Sequence, residues 1–477
     1  MAQIPNEDNP EEQRSDEDKT LKNSILVVTA FTAFLISFVF SAFNVALPAI
    51  GSEFTADAVA LGWVISSFTL TTGISLLIFG RIGDIVGRRK IFTLGMVFFT
   101  LSTFLMIFSW NISILIFLRA VKGIANAMIS GTIMAIVSAV FQPGERGKAL
   151  GLNLTSTYLG ISLGPFGGGL LVQYFGWRSI LVVLVPFQII SLILIKLKFK
   201  TEWADSAGEK FDWKGSLAFG FAMFAFMYGF SLLPSVTGWI FLGGGFLFGV
   251  LFVIIELRVN NPIFDFQLIL NNRMFAFSSL ASIFVYIAMG AIGFFSSLYL
   301  QYLKNLDAAA AGLIMISQPL TTALLSTLSG KLSDRINPGI IASIGLGIVS
   351  IGLFMFFLIG EASSIAYLVS LLVIIGFGFG MFSSPNTNAI MSSVENKFLG
   401  TASATLGTVR TIGQMMSMGI AMILFSLYIG REVISPTVYP ALLAAIQRGF
   451  LIFSIIAALG IFVSLARSKR VTRKPAN

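Results

Sequence analysis

The 477-residue chain contains no cysteine and no histidine, and only 11% of its residues are charged. Without cysteine there is no disulfide framework and no thiolate nucleophile or ligand. Without histidine the commonest general base and metal-binding imidazole are missing. Soluble domains carry about 25% charged residues, so a chain with so few belongs in another solvent. What is present fits a bilayer: 56% hydrophobic residues, 47 Phe and 46 Gly, glycine letting membrane helices approach closely. A net charge of +9 raises nucleic acid as a partner. The basic residues, however, sit in short gaps between apolar runs, which is a topology pattern and argues for no nucleic acid.

Apolar stretches of about 20 residues cross a bilayer as helices. Fourteen are predicted, at 24–48, 59–79, 91–109, 112–135, 148–173, 179–195, 215–233, 237–256, 274–300, 308–330, 338–359, 363–390, 401–429 and 448–466. The first is too long for the core of a cleaved signal peptide, so it is expected to stay as a span. With the N-terminus inside, 24 of the 31 Lys and Arg fall on the inner side, four outside and three within spans. That asymmetry predicts a multi-pass protein of the cell membrane with both termini cytoplasmic.

Two loops recur. GRIGDIVGRR (from Gly80) follows span 2 and GKLSDRINPG (from Gly330) follows span 10, placing Asp84 and Asp334 250 residues apart. GERGKALG after span 4 and KFLGTASA after span 12 repeat the offset. Matches eight spans apart exclude a seven-plus-seven duplication. They predict an all-α polytopic membrane protein of two six-helix bundles plus two inserted spans. The implied divisions are an acidic cytoplasmic tail (1–23), a first bundle (24–198), a linker with the inserted pair (199–257), a second bundle (258–466) and a basic tail (467–477). Parallel repeats of this kind build transporters, with the site near the midplane between bundles.

The residues Gly80, Asp84, Gly87, Arg88 and Arg89 resemble the loop between spans 2 and 3 of the major facilitator superfamily. The resemblance implies a conformational latch between the bundles, with Asp334 and Arg335 in the second copy. The alternative is a plain topology turn, made tight by glycine and held in the cytosol by its bases. Gly160, Gly164, Pro165, Gly168 and Gly169 in span 5 resemble the motif that marks antiporters. Their spacing clears one helix face, and Pro165 removes a backbone hydrogen bond. A sliding seam or simple close packing would both use such a face. With Asn44 to Ile50, Leu118 to Gly123, Gly176 to Arg178, Phe211 to Trp213 and Asn261 to Ile263, these motifs make the chain, from about 24 to 466, similar to the fourteen-span drug:H+ antiporter family.

Ionisable residues inside spans are functional candidates by default. Arg119, Lys122, Asn126 and Ser130 share a face of span 4, with Arg119 about 12 Å from its outer end at 1.5 Å per residue. Arg410, Gln414 and Ser417 form a similar stripe in span 13. A structural alternative is an Arg that binds carbonyls or locks two helices. Gln318-Pro319 and Pro385 to Asn388 are weaker candidates. No carboxylate lies deep: Val39 stands where the family usually has Asp, and Lys122 where Gln is usual. Deep charge of one sign disfavours a cation in a low-dielectric cavity and makes Lys122 a candidate proton-responsive group. The resemblance implies proton-driven efflux of amphipathic compounds or drugs by alternating access. Transport of anionic or neutral lipophilic molecules is the first alternative, and a non-transporting membrane sensor the second. No enzyme, metal, cofactor or ATP drive is expected, since no His, no Cys and no GxxxxGK[ST] loop occurs. The expected partners are the bilayer, a small-molecule substrate and protons.

Single cysteines placed at Ser15 and Ser468 should label only from the cytoplasm, and one at Ser363 only from outside. Cytoplasmic labelling at 363 would overturn the fourteen-span count.

Overall fold

The computed structural model describes residues 10–467 except 142, 200, 205, 207, 260, 261, 334 and 396–398. Asn261, Asp334, Lys397 and the tail beyond Arg467 therefore lie outside the described residues. Fourteen long helices form: α1 (Pro10–Phe54), α2 (Ala58–Val86), α3 (Arg88–Ile107), α4 (Ile112–Val140), α5 (Pro143–Phe175), α6 (Arg178–Lys198), α7 (Trp213–Leu232), α8 (Val236–Glu256), α9 (Arg273–Leu303), α10 (Ala308–Ser333), α11 (Pro338–Phe357), α12 (Ile365–Ser392), α13 (Leu399–Tyr428) and α14 (Tyr439–Ala466). Among the described residues thirteen are long and apolar enough to cross a membrane. The fourteenth, α5, has 33 residues, and its glycines and hydroxyls dilute its apolar content.

The helix starts follow local chemistry. Asp57, Asn111, Asp212, Asp307 and Ser364 each accept a hydrogen bond from a first-turn backbone N–H, the contact that offsets an orphan donor. Several helices depart from the apolar runs. The backbone of α1 is already helical at Pro10, within the polar stretch. α14 begins at Tyr439, nine residues before the predicted span, so Arg448 lies well inside a helix. There it is exposed and reaches over the Phe357 ring at 5.9 Å, so the polar interruption costs the helix nothing. α9 breaks at Gly290–Ala291 and ends in a π-helical turn. At that break the Ala291 N–H donates to Ser417 Oγ of α13 at 2.8 Å.

The repeat is visible in which helices touch. Within the first bundle α1 packs on α5 and α6, α2 on α4, and α3 on α4 and α6. Within the second, α9 packs on α13 and α14, α10 on α12, and α11 on α12 and α14. Each pair maps onto its counterpart by adding eight. The bundles meet along two seams, α2 with α13 and α5 with α10, which also exchange under that offset. The inserted α7 rests on both α2 and α13, and α8 packs on α7.

One face carries the α2–α3 loop and the linker before α7; we call it the linker face. Near the opposite face the bundles are joined. Gln301 Nε2 of α9 donates to the Val45 carbonyl of α1 at 3.0 Å, and the Ala308 N–H of α10 to Gln173 Oε1 of α5 at 3.3 Å. Arg431 reaches Asp57 at 3.7 Å. Toward the linker face, Gly80 on α2 and Gly147 and Gly151 on α5 have open space where a side chain would be. The bundles are thus joined on the far side. Side chains such as Phe98, Phe117, Phe246 and Phe462 are exposed around the outside. On a membrane protein that exposure is to acyl chains, as apolar as the side chains themselves.

Of the four span 5 glycines singled out from the sequence, three face their own bundle. A Cβ at Gly160 would meet the Phe34 carbonyl at 2.5 Å, one at Gly164 the Ser41 Cβ at 2.7 Å, and one at Gly168 the Ala42 Cβ at 2.6 Å, all on α1. Gly169 instead abuts the Ala308 carbonyl of α10, and the Pro165 carbonyl abuts Gly312. The stripe is thus a close-packing face at 160, 164 and 168, and a seam at 165 and 169. Pro165 does not break the helix. Its missing N–H frees the Ile161 carbonyl, which accepts from Ser41 Oγ at 2.9 Å.

Gly164→Val should cost about 1–3 kcal/mol by overpacking the α1–α5 contact, while Gly151→Val, facing open space, should not. Equal thermal unfolding of the two purified variants would contradict this packing.

Candidate functional site

A cavity of about 50 Å³ lies between the bundles. Ser41, Asn44, Ile161 and Pro165 of α1 and α5 form one wall. Ile292, Gly293, Ser296, Met315, Gln318, Pro319 and Leu372 of α9, α10 and α12 form the other. Its polar groups are amides and hydroxyls, and no residue of the lining is charged. Ser296 Oγ is buried without a hydrogen-bond partner, and Gln318 Nε2 has only a 3.4 Å contact to Thr322 Oγ1. Donors and acceptors are therefore left over for a guest.

Farther toward the linker face a second group of polar side chains spans both bundles. Tyr158 of α5 shares a 3.1 Å hydrogen bond with Ser383 of α12. Arg410 of α13 donates through Nη2 to Thr387 Oγ1 of α12 at 3.0 Å and lies 5.5 Å from the Tyr286 ring of α9. Gln414, one turn along α13, packs its Cα where a Cβ on Gly290 would come within 2.8 Å, so its segment holds the broken part of α9. The sequence singled out Arg410 and Gln414 but missed Tyr158, Tyr286 and Ser383. A signal existed, since only nine tyrosines occur and two fall in mid-span. Pairing them required the fold.

Arg119 and Lys122 are placed apart from this cleft. Arg119 is fully buried inside the first bundle: Nε donates to the Val64 carbonyl at 2.8 Å, and the guanidinium lies between the rings of Phe43 and Phe68 at 4.3 and 4.9 Å. Lys122, also fully buried, has Phe99 4.4 Å away and no hydrogen-bond acceptor. Asn126 reaches Thr72 Oγ1 at 3.3 Å and accepts from Ser130. The helical face read from sequence exists, but it is a contact of α4 with α1, α2 and α3. Val39 is likewise buried in the core.

The α2–α3 loop is engaged by the linker. Asp84 Oδ1 accepts from Arg88 Nε at 2.8 Å, and the Ser206 N–H donates to the Asp84 carbonyl at 3.0 Å. Glu202 Oε1 accepts from the Arg89 N–H at 2.8 Å, placing a carboxylate at the positive end of α3. Arg81 pairs with Glu209 at 2.5 Å. Gly87, at φ 127°, holds a conformation open to glycine. A Cβ there would also run into Glu202 at 2.5 Å. Arg335 is exposed in the corresponding turn of the second bundle, and its partner Asp334 lies outside the described residues.

One buried cation was missed altogether. Arg467, assigned from sequence to the basic tail, is only 3% exposed. It donates to Ser278 Oγ at 3.1 Å, Ser464 Oγ at 2.8 Å, Asn386 Oδ1 and the Gly339 carbonyl, tying together α9, α14, α12 and the start of α11. Desolvation pulls its pKa down to about 10, so it stays charged at neutral pH.

The family model for the Major Facilitator Superfamily matches residues 29–418 and 279–477. The chain belongs to the major facilitator superfamily. It is 29% identical to the riboflavin transporter RibZ of Clostridioides difficile over 389 residues, 81% of this chain and 85% of that protein. It is also 29% identical over 402 residues to the multidrug resistance protein Stp of Mycobacterium tuberculosis, covering 83% and 74%. Among solved structures, a bacterial homologue of the human lysosomal transporter Spinster aligns with TM-score 0.68, covering 94% of this chain and 97% of that one at 15% identity. A bacterial homologue of the peptide transporters PepT1 and PepT2 gives 0.66 at 14% identity, covering 94% and 98%. These two show the fold. As a superfamily member the chain is a membrane transporter rather than an enzyme, and its inter-bundle cavity lies where parallel repeats place a site.

Lys122 tests the reading of the buried charges. An unpartnered buried donor costs about 1–3 kcal/mol, so Lys122→Met should keep or raise thermal stability. Arg119→Met loses the bond to Val64 and should lower it. A marked fall for Lys122→Met would reveal a partner for the amine.

Proposed function

We propose that the protein is a secondary active transporter that exports amphipathic small molecules by alternating access, driven by the proton gradient. The supporting observation is the cavity lined by both bundles, with unused amide and hydroxyl groups between apolar walls. Such a lining suits a guest with an apolar body and a few hydrogen-bonding atoms. The drive and direction rest on the similarity to the drug:H+ antiporters and on relatives whose names include a multidrug resistance protein and a riboflavin transporter. In this reading the bundles correspond to 24–198 and 258–466, the linker face is cytoplasmic, and the cell membrane is the location. Asp84, Arg88 and Arg89 act as a latch that releases the linker when the bundles close on the cytoplasmic side.

A second reading concerns cargo charge. The lining contains no carboxylate, and Val39 occupies the position of the usual span 1 acid. Neutral or anionic guests fit it better than cations, which call for a carboxylate or an aromatic cage.

Purified protein in proteoliposomes with an imposed pH gradient should move amphipathic dyes, and collapsing the gradient should stop the flux. Asp84→Asn should cut flux several-fold while leaving expression and thermal stability intact. Flux indifferent to the gradient would overturn proton drive. Wild-type flux in Asp84→Asn would reduce the loop to a turn, and robust ethidium export would overturn the charge preference.

A further inference from the structure

We propose that Arg410 is the anion-recognition point of the transport pathway, and that the cargo carries a carboxylate or similar acid about 10 Å from its apolar body. The proposal rests on the transporter reading and adds a substrate class to it.

An arginine cannot be deprotonated in a protein, and its guanidinium offers five N–H donors. Arg410 spends one of them on Thr387 Oγ1, and its Nε is buried without an acceptor. Among the described residues no carboxylate pairs with it. The groups in contact with it are neutral: Thr387 and the Tyr286 ring. A charge in low dielectric without a counter-ion is costly. Arg410 lowers that cost by being partly exposed, so that water can meet those of its donors that are not buried. An incoming acid would replace that water with a charge-assisted, two-pronged contact.

The contrast with Arg119 sharpens the assignment. Both are deep cations without an acid, but Arg119 is fully buried between two phenylalanine rings and bonded to a backbone carbonyl. A guest could not reach it. Arg410 bonds Thr387, one turn along α12 from Ser383, which in turn bonds Tyr158 of the other bundle, so a ligand bound there sits beside a contact between the two halves.

Spacing supplies the substrate geometry. Along α9, Tyr286 lies seven residues before Gly293, and along α5, Tyr158 lies seven before Pro165, both cavity residues. Along the unbroken α5, at 1.5 Å per residue, that step is about 10 Å. A guest with its acid at Arg410 and its ring system among Asn44, Gln318 and Pro319 would fill both sites at once, with Tyr286 beside the path between them.

The test uses a matched pair of probes, 1-pyrenebutyrate and its methyl ester, titrated by fluorescence against the full-length protein in detergent. Wild type should bind the acid at least tenfold more tightly than the ester. Arg410→Gln should erase that difference while leaving ester affinity unchanged. Arg410→Lys should retain part of it, because a lysine keeps the charge but loses the fork. Equal binding of the two probes by wild type would overturn the proposal. So would an Arg410→Gln variant that weakens both equally, which would make Arg410 a lock between α12 and α13. Flux in proteoliposomes separates the two readings. An acid preference without flux leaves the anion site standing and removes the transport reading. Flux without an acid preference does the reverse.

Discussion

Hydrocarbon offers no hydrogen-bond partner, so every polar group a membrane helix exposes must be met by protein. Much of this architecture follows from that constraint. Thr71 donates to the Ala120 carbonyl at 2.7 Å and Thr72 to the Gly123 carbonyl at 3.0 Å, fastening α2 to α4. Thr322 and Ser329 of α10 do the same for the Gly376 and Gly380 carbonyls of α12 at 3.1 and 2.8 Å. The two pairs are related by the eight-helix offset. Close approach requires small residues at the contact, and hydroxyls on the facing helix use the carbonyls thus brought within reach. Glycine abundance and the frequency of Ser and Thr are two sides of one packing solution.

Three arginines away from the bulk surface are handled in three ways. Arg119 is sealed with aromatic faces and one carbonyl. Arg467 is bonded through both terminal nitrogens to hydroxyl, amide and carbonyl acceptors from four helices. Arg410 alone of these three is left partly open to the cleft. The first two stabilise bundles internally, and the third sits where the bundles meet. The same side chain thus differs in role because of what surrounds it, and that surrounding comes from helices far away in sequence.

This explains what the sequence could and could not reveal. The spans were legible because apolar length is a local property, and the two-bundle plan because its loops repeat at a fixed distance. The close packing of Gly160, Gly164 and Gly168 was legible as a bare helix face, but not which neighbour it met. Arg467 looked like tail because it follows the last apolar run; its burial depends on Ser278 and Asn386, 189 and 81 residues earlier. The break in α9 leaves little local trace, since Gly290 is one glycine among 46, and its stabilising partner, Ser417, is on another helix. Face and depth are written locally, whereas partners are not.

The inserted pair has a mechanical consequence. α7 rests on α2 and α13 together, so it straddles one of the two seams along which the bundles meet. In the proposed alternating access, rocking would either drag α7 with one bundle or shear it from the other. Neither inserted helix lies over the α5–α10 seam, where Gly312 abuts the Pro165 carbonyl backbone to backbone. The halves are copies in topology but not in load. One seam is covered by an inserted helix and the other is not, so under the proposed mechanism the two would not open with equal ease.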